Sequence, residues 1–220
     1  MRRERHPMIS DEKALDRIVF FSDAVFAIAM TLLGVELRVP ILAAGLTYRQ
    51  TNDQLWHALR GMGGELYAFA LSFFVLGLLW MAHHRKFRLI RRYDSRLLWT
   101  NLVFLFFVAF LPFPTEVLGR YGDEVATIFY ASTMAVTGLL SGYLTLYAYR
   151  GHRLIDPEVD DGLIRYWIQR SFTPPAVFLV SIPVALISPK AAQFVWLLAF
   201  VGTILLGIIH RRRSAGDDEG

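Results

Sequence analysis

A chain of 220 residues with 55% hydrophobic and only 19% charged side chains falls short of the charge content of a soluble domain, roughly one quarter. The absence of cysteine excludes disulfides, thiolate metal sites, iron–sulfur clusters and cysteine nucleophiles. The net charge of +4 does not point to nucleic acid, because the basic residues are confined to short stretches between long apolar runs.

Six apolar segments follow in chain order, at 18–37, 59–82, 97–118, 125–149, 172–187 and 191–209. Most approach the roughly 20 residues that cross about 30 Å of hydrocarbon. The fifth is short and carries Pro174, Pro175 and Pro183, which a spanning helix tolerates where neighbours satisfy the freed carbonyls. Ala27-Ile28-Ala29 has the form of a signal-cleavage site, yet Ser22 and Asp23 interrupt the preceding run and apolar residues continue to Leu37, so the first segment reads as a retained helix. The expectation is an all-α polytopic membrane protein. It has one six-helix domain at 18–209, an N-terminal segment at 1–17 and a tail at 210–220.

Charge tests this reading. With six spans, one side of the membrane carries 18 Lys and Arg residues, and the other carries Arg38, Arg49, Arg60, Arg120 and Lys190. The positive-inside rule then places both termini in the cytoplasm. The outer connection from Arg38 to Arg60 contains Leu55, Trp56 and Leu59, which suggest a short amphipathic or interfacial turn. The acidic run Asp156-Pro157-Glu158-Val159-Asp160-Asp161 lacks the ligand alternation and closing glutamate of a calcium loop, and reads as a solvated helix N-terminus.

The first helix is the most informative. An ionisable residue such as Asp23 inside a span faces a partner or water rather than lipid; local pairing with Arg17 is the plainest alternative. At about 100° per residue, Ala24, Ile28, Thr31, Leu32 and Val35 form one stripe, and Asp23, Ala27 and Gly34 form an adjacent one of small residues suited to close helix approach. By periodicity alone the apolar stripe also fits lipid or packing, and Thr31 also fits a bond back to the Ala27 carbonyl. A second constellation runs from Trp80 through His83-His84-Arg85-Lys86-Phe87 to Asn101. Adjacent histidines face different sides of a helix and make a poor metal site, so no fixed metal is expected. A histidine or Asn101 is within geometric reach of Ser22 and Asp23, since all lie near the same ends of the first three helices. Pro112 and Pro114 read as a simple helix end. A P-loop, a nucleophile elbow and a potassium-filter sequence are all missing, so neither an enzyme nor an ordinary potassium-channel pore is expected.

The run Arg17-Ile18-Val19-Phe20-Phe21-Ser22-Asp23 resembles the Arg-x-x-x-Phe-Ser-Asp signature of a potassium-channel family, the prokaryotic relatives of the endosomal and lysosomal potassium channel of animals. The likeness continues through Trp80, His83-His84-Arg85, Leu98-Trp99, Asn101 and Leu111-Pro112-Phe113-Pro114-Thr115. It implies six spans per subunit and, for a chain with a single Phe-Ser-Asp, a homotetramer in the plasma membrane of a prokaryote, with membrane lipids as its other partners. It implies a pore lined by the first helix of four subunits, with Ile28, Thr31, Leu32 and Val35 at the constriction. Arg17, Phe21, Ser22, Asp23, His83, His84 and Asn101 would hold that helix in place. No cofactor is implied beyond permeant potassium, passing near Thr31. Without an anionic ring or carbonyl cage on the stripe, conduction would be passive with modest potassium preference. A proton transporter using Asp23 and a His83 or His84 relay is the alternative.

Overall fold

Long stretches free of helix breakers fold as long helices. The computed structural model describes residues 11–197, and its regular elements there are helical, apart from one isolated bridge between Ile90 and Ile155. In order they are α1 (Asp11–Val35), α2 (Tyr48–Gly61), α3 (Gly63–Leu89), α4 (Ser95–Phe110), α5 (Pro112–Tyr121), α6 (Glu124–Tyr149) and α7 (Asp161–Ile187), then helical backbone at 189–197. Among the described residues five stretches are long and apolar enough to cross a membrane: Ala14–Val35, Gly63–Leu89, Ser95–Tyr121, Glu124–His152 and Asp161–Ile187. The chain is a membrane protein. Most of the expected sixth span at 191–209, the tail at 210–220 and the first ten residues lie outside the described residues.

The helices overrun the apolar segments. α1 starts at Asp11, α3 runs on to Leu89, and α7 starts at Asp161, so much of what reads as basic connection is helix. Hydropathy marks where lipid ends, whereas the helix ends where backbone hydrogen bonding fails or a cap takes over. The connection from Arg38 to Arg60 holds a full helix, α2, of 14 residues with none buried, rather than a short turn. The Thr47 N–H donates to Gln50 Oε1 at its start (2.9 Å).

Pro112 and Pro114 break the third span rather than ending it, and α5 continues after α4 across Leu111. Proline at 112 removes the donor that Val108 would have received, and the Leu111 N–H reaches that carbonyl instead (3.3 Å). Thr115 Oγ1 lies 2.8 Å from the Leu111 carbonyl and 2.8 Å from Ser72 Oγ, and Ser72 in turn pairs with Tyr130 Oη (3.0 Å). The break is thus tied to α3 and α6 by hydroxyls buried within the bundle.

α6 is the central post, with sixteen buried residues along its length. Its groove of small side chains receives Pro175 and Phe172 of α7: a Cβ on Gly138 would stand 2.9 Å from Pro175 Cβ, and one on Gly142 would stand 2.8 Å from the Phe172 ring. At the basic end, the Leu154 carbonyl accepts from the Arg91 N–H (2.8 Å) and the Tyr149 hydroxyl donates to the Lys86 carbonyl (3.2 Å). Asp94 caps α4 by accepting from the Leu97 N–H (2.8 Å), accepts from the Tyr147 hydroxyl and sits 3.9 Å from Arg153. Burial alone raises the Asp94 carboxyl, but the Tyr147 and Leu97 hydrogen bonds and the Arg153 charge together outweigh it and hold it below the usual carboxylate range. The acidic run caps α7, with the Asp160 carboxylate accepting from the Leu163 N–H (2.8 Å).

Gly138→Ala should cost about 1–3 kcal/mol through overpacking, while Gly61→Ala, where the added carbon meets open space, should be neutral or slightly favourable; thermal unfolding in detergent measures both. Because the folded Asp94 carboxyl sits low, its contribution is fully present above the ordinary aspartate value and is lost as pH falls through the folded one. Asp94→Asn keeps a capping oxygen but not the charge. Its unfolding temperature should therefore fall less between about pH 5 and pH 3 than that of the parent.

Candidate functional site

Three faces of α1 have three fates. Leu15, Ser22, Phe26, Ala29 and Leu33, spaced at helical intervals, are buried against α3, α4 and α5. Almost opposite, Ile28 is 59% exposed, Leu32 41% and Val35 71%, with Ala24 and Thr31 also exposed. Between them, the small-residue stripe of Asp23, Ala27 and Gly34 is not the face packed within this subunit. Ala27 is exposed, and a Cβ on Gly34 would only graze the Phe69 ring at 3.8 Å. Thr31 Oγ1 donates to the Ile28 carbonyl (2.8 Å), one residue nearer than the Ala27 carbonyl.

The buried face is fixed by a directional hydrogen-bond chain. Asn101 Nδ2 on α4 donates to Ser22 Oγ (3.1 Å), and Ser22 Oγ passes its own proton to the Ile18 carbonyl (2.8 Å). With the amide turned this way, Asn101 Oδ1 faces His83 Nε2 on α3 (2.9 Å), which makes that nitrogen the donor. Ser22, His83 and Asn101 are all buried. His83 lies among aromatic rings, stacked on Phe87 (4.4 Å between centroids) and Phe104 (5.6 Å) and tilted against Phe26 (5.8 Å), and its buried Nδ1 has no hydrogen-bond partner among the described residues.

Asp23 follows a separate route. Its carboxylate accepts from Trp80 Nε1 on α3 (2.8 Å) rather than pairing with Arg17, which is exposed. An indole N–H donates only, so this bond cannot pass a proton onward, and among the described residues Asp23 has no hydrogen bond to either histidine. His84 is half-buried beside Trp80 (6.1 Å between centroids), and its Nδ1 likewise has no hydrogen-bond partner among the described residues. Phe21 is 55% exposed and takes no part in the chain.

Trp80 and Lys86 escaped sequence reasoning as contact residues. Lys86 counts among the loop charges there, yet α3 carries it inward, 5% exposed, where it donates to Ser141. The available signal was the spacing of His83, Lys86 and Phe87, which share one face of a helix that continues to Leu89.

The fold and site define a helical membrane protein whose first span is pinned on one side by buried polar groups and bare on the other. A model of the family described as endosomal/lysosomal potassium channel TMEM175 matches residues 17–112, from Arg17 of the signature to Pro112 at the helix break. A potassium channel of Streptomyces collinus is 37% identical over 149 residues, 66% of this chain and 69% of the relative. One from Chamaesiphon minutus is 30% identical over 213 residues, 93% of this chain and 98% of the relative. The crystal structure of a lysosomal potassium-selective channel TMEM175 homolog from Chamaesiphon minutus superposes with a TM-score of 0.74 at 27% identity, covering 88% of this chain and 97% of that one. The chain belongs to the TMEM175 family, a family of ion channels and not of enzymes.

Asn101→Leu and Ser22→Ala, singly and together, should show a coupling energy of about 0.5–2 kcal/mol in unfolding from detergent. Additive losses would mean that the Asn101–Ser22 bond carries no stability.

Proposed function

We propose that this chain forms a passive cation channel with modest preference for potassium, in which four subunits surround one pore lined by α1. The carrying observation is the bare stripe of Ile28, Thr31, Leu32 and Val35, set almost opposite the face that Ser22, Phe26 and Leu33 bury. The relatives named as potassium channels support the same ion. Six spans per subunit, cytoplasmic termini and a prokaryotic plasma membrane complete the reading, in keeping with the charge asymmetry of the connections.

In this arrangement Ile28, Leu32 and Val35 form stacked apolar rings that close the path by dewetting, and opening requires them to move apart and readmit water. Thr31 sits between the Ile28 and Leu32 rings. Its hydroxyl proton is committed to the Ile28 carbonyl, which leaves its oxygen lone pairs free to face a partly dehydrated cation. Four such oxygens without fixed negative charge discriminate only modestly between potassium and sodium. Arg17, Phe21, Asp23, His84 and the Ser22–Asn101–His83 chain serve to hold or adjust α1, not to touch ions.

Purified protein in liposomes tests this by comparing potassium, sodium and proton flux. Ile28→Ala should raise resting potassium flux several-fold, and Thr31→Ala should bring the potassium and sodium fluxes closer together. Unchanged flux in both variants sinks the pore assignment. Flux that requires a proton gradient and disappears in Asp23→Asn establishes a proton transporter in its place.

A further inference from the structure

Towards the basic end of the bundle, α3, α6, α7 and Trp196 of the helical backbone after α7 line a cavity of about 590 Å³. That size suits a ligand of several hundred daltons. Its deep wall is apolar, formed by Val75, Leu79, Met134, Pro175 and Phe178. Its other end is lined by Arg85, Lys86 and Arg170 beside the hydroxyls of Ser141 and Ser171, and no Asp or Glu among the described residues lines it.

Lys86 is the feature that calls for a ligand. It is 5% exposed, and its Nζ donates to the Ser141 carbonyl and to Ser141 Oγ (3.0 Å), both neutral acceptors. Among the described residues no carboxylate lies within ion-pair distance of it. An ammonium withdrawn from water between spanning helices calls for a counter-charge. Ser141 uses two of its three donors, and the cavity is where an acceptor for the third can enter. Arg170, anchored through Nη1 to the Tyr166 hydroxyl (2.6 Å), adds a further cation at the same end.

The depth of the cavity identifies the occupant. From Lys86 back to Val75, α3 rises about 16 Å, close to the roughly 15 Å of hydrocarbon in one leaflet. We propose that this cavity receives the headgroup phosphate and one acyl chain of an anionic membrane phospholipid, with the phosphate at Lys86 and Arg170, that chain along the wall to Val75 and Phe178, and the second chain outside the cavity. A zwitterionic lipid would bring its own cation to a site that already holds Lys86 and Arg170, and a small free anion would leave the apolar wall bare. The inference does not depend on ion conduction along α1.

Native mass spectrometry of the full-length protein, stripped of lipid in detergent and offered phosphatidylglycerol or phosphatidylcholine at equal concentration, tests it. Phosphatidylglycerol should be retained roughly tenfold or more over phosphatidylcholine, the effect expected of charge-assisted hydrogen bonds. Lys86→Met should abolish the preference, and Arg120→Gln, outside the cavity, should leave it intact. Should Lys86→Met fail to fold, Lys86→Arg, which keeps the charge, should retain the preference while Arg170→Gln weakens it. Excess inorganic phosphate should not displace the lipid. Equal retention of the two lipids overturns the proposal. So does a preference that survives both Lys86→Met and Arg170→Gln, or displacement of the lipid by phosphate alone.

Discussion

In a bilayer, a buried polar group has no water to fall back on, and the chain from His83 through Asn101 to Ser22 answers that constraint across three helices. Each donor in it has an acceptor, and each acceptor atom is supplied by a different helix from its donor until the Ile18 carbonyl closes the run within α1. Because the three side chains fit together in only one rotational setting of α1, the chain fixes which face of that helix looks inward. Everything proposed for the opposite face follows from this setting. A rotation by one residue would bury Asp23 or Phe21 in place of Ser22 and leave Asn101 without its acceptor.

The rest of the bundle supplies rigidity around that fixture. α6 accepts the proline-bearing α7 in a groove of small residues, and the buried hydroxyls of Ser72, Thr115 and Tyr130 tie the break after Leu111 to α3 and α6. At the basic end, Asp94, Tyr147 and Arg153 fasten the connection between α3 and α4 to the end of α6. Polar contacts thus recur at both levels of the bundle, where apolar packing alone would distinguish poorly between protein and lipid.

The apolar segments were legible because transfer free energy dominates their sequence: the boundaries of α6 agree with 125–149 to within a residue. Helix ends were less legible. Basic residues such as Arg85, Lys86 and Arg88 look like loop, yet nothing after Gly77 breaks the helix before Ile90, so α3 continues and turns Lys86 inward. The same applies to Asp161–Arg170, where charge suggested a connection and the Asp160 cap started a helix. Pro112 reads as an end in the sequence, which shows a missing donor but not the neighbouring N–H that replaces it. The proximity of Ser22, Asn101 and a histidine could be argued from the ends of three helices. The choice of His83 over His84, and of Trp80 as the partner of Asp23, depends on rotational settings that only the packed helices define.

The position of the polar chain along α1 has a mechanical side. Hydrogen bonds grip this helix at Ser22 and, through Asp23, at its neighbour, whereas beyond them Phe26, Ala29 and Leu33 make only apolar contacts that slide at little cost. A rod pinned near one end is a lever. Ile28 stands about 9 Å along the axis from Ser22 and Val35 about 20 Å, so any tilt about the pinned end sweeps Val35 roughly twice as far as Ile28. In the pore proposed above, the two rings therefore work at different mechanical advantage: Ile28 forms the stiff throat, and Val35 swings widest.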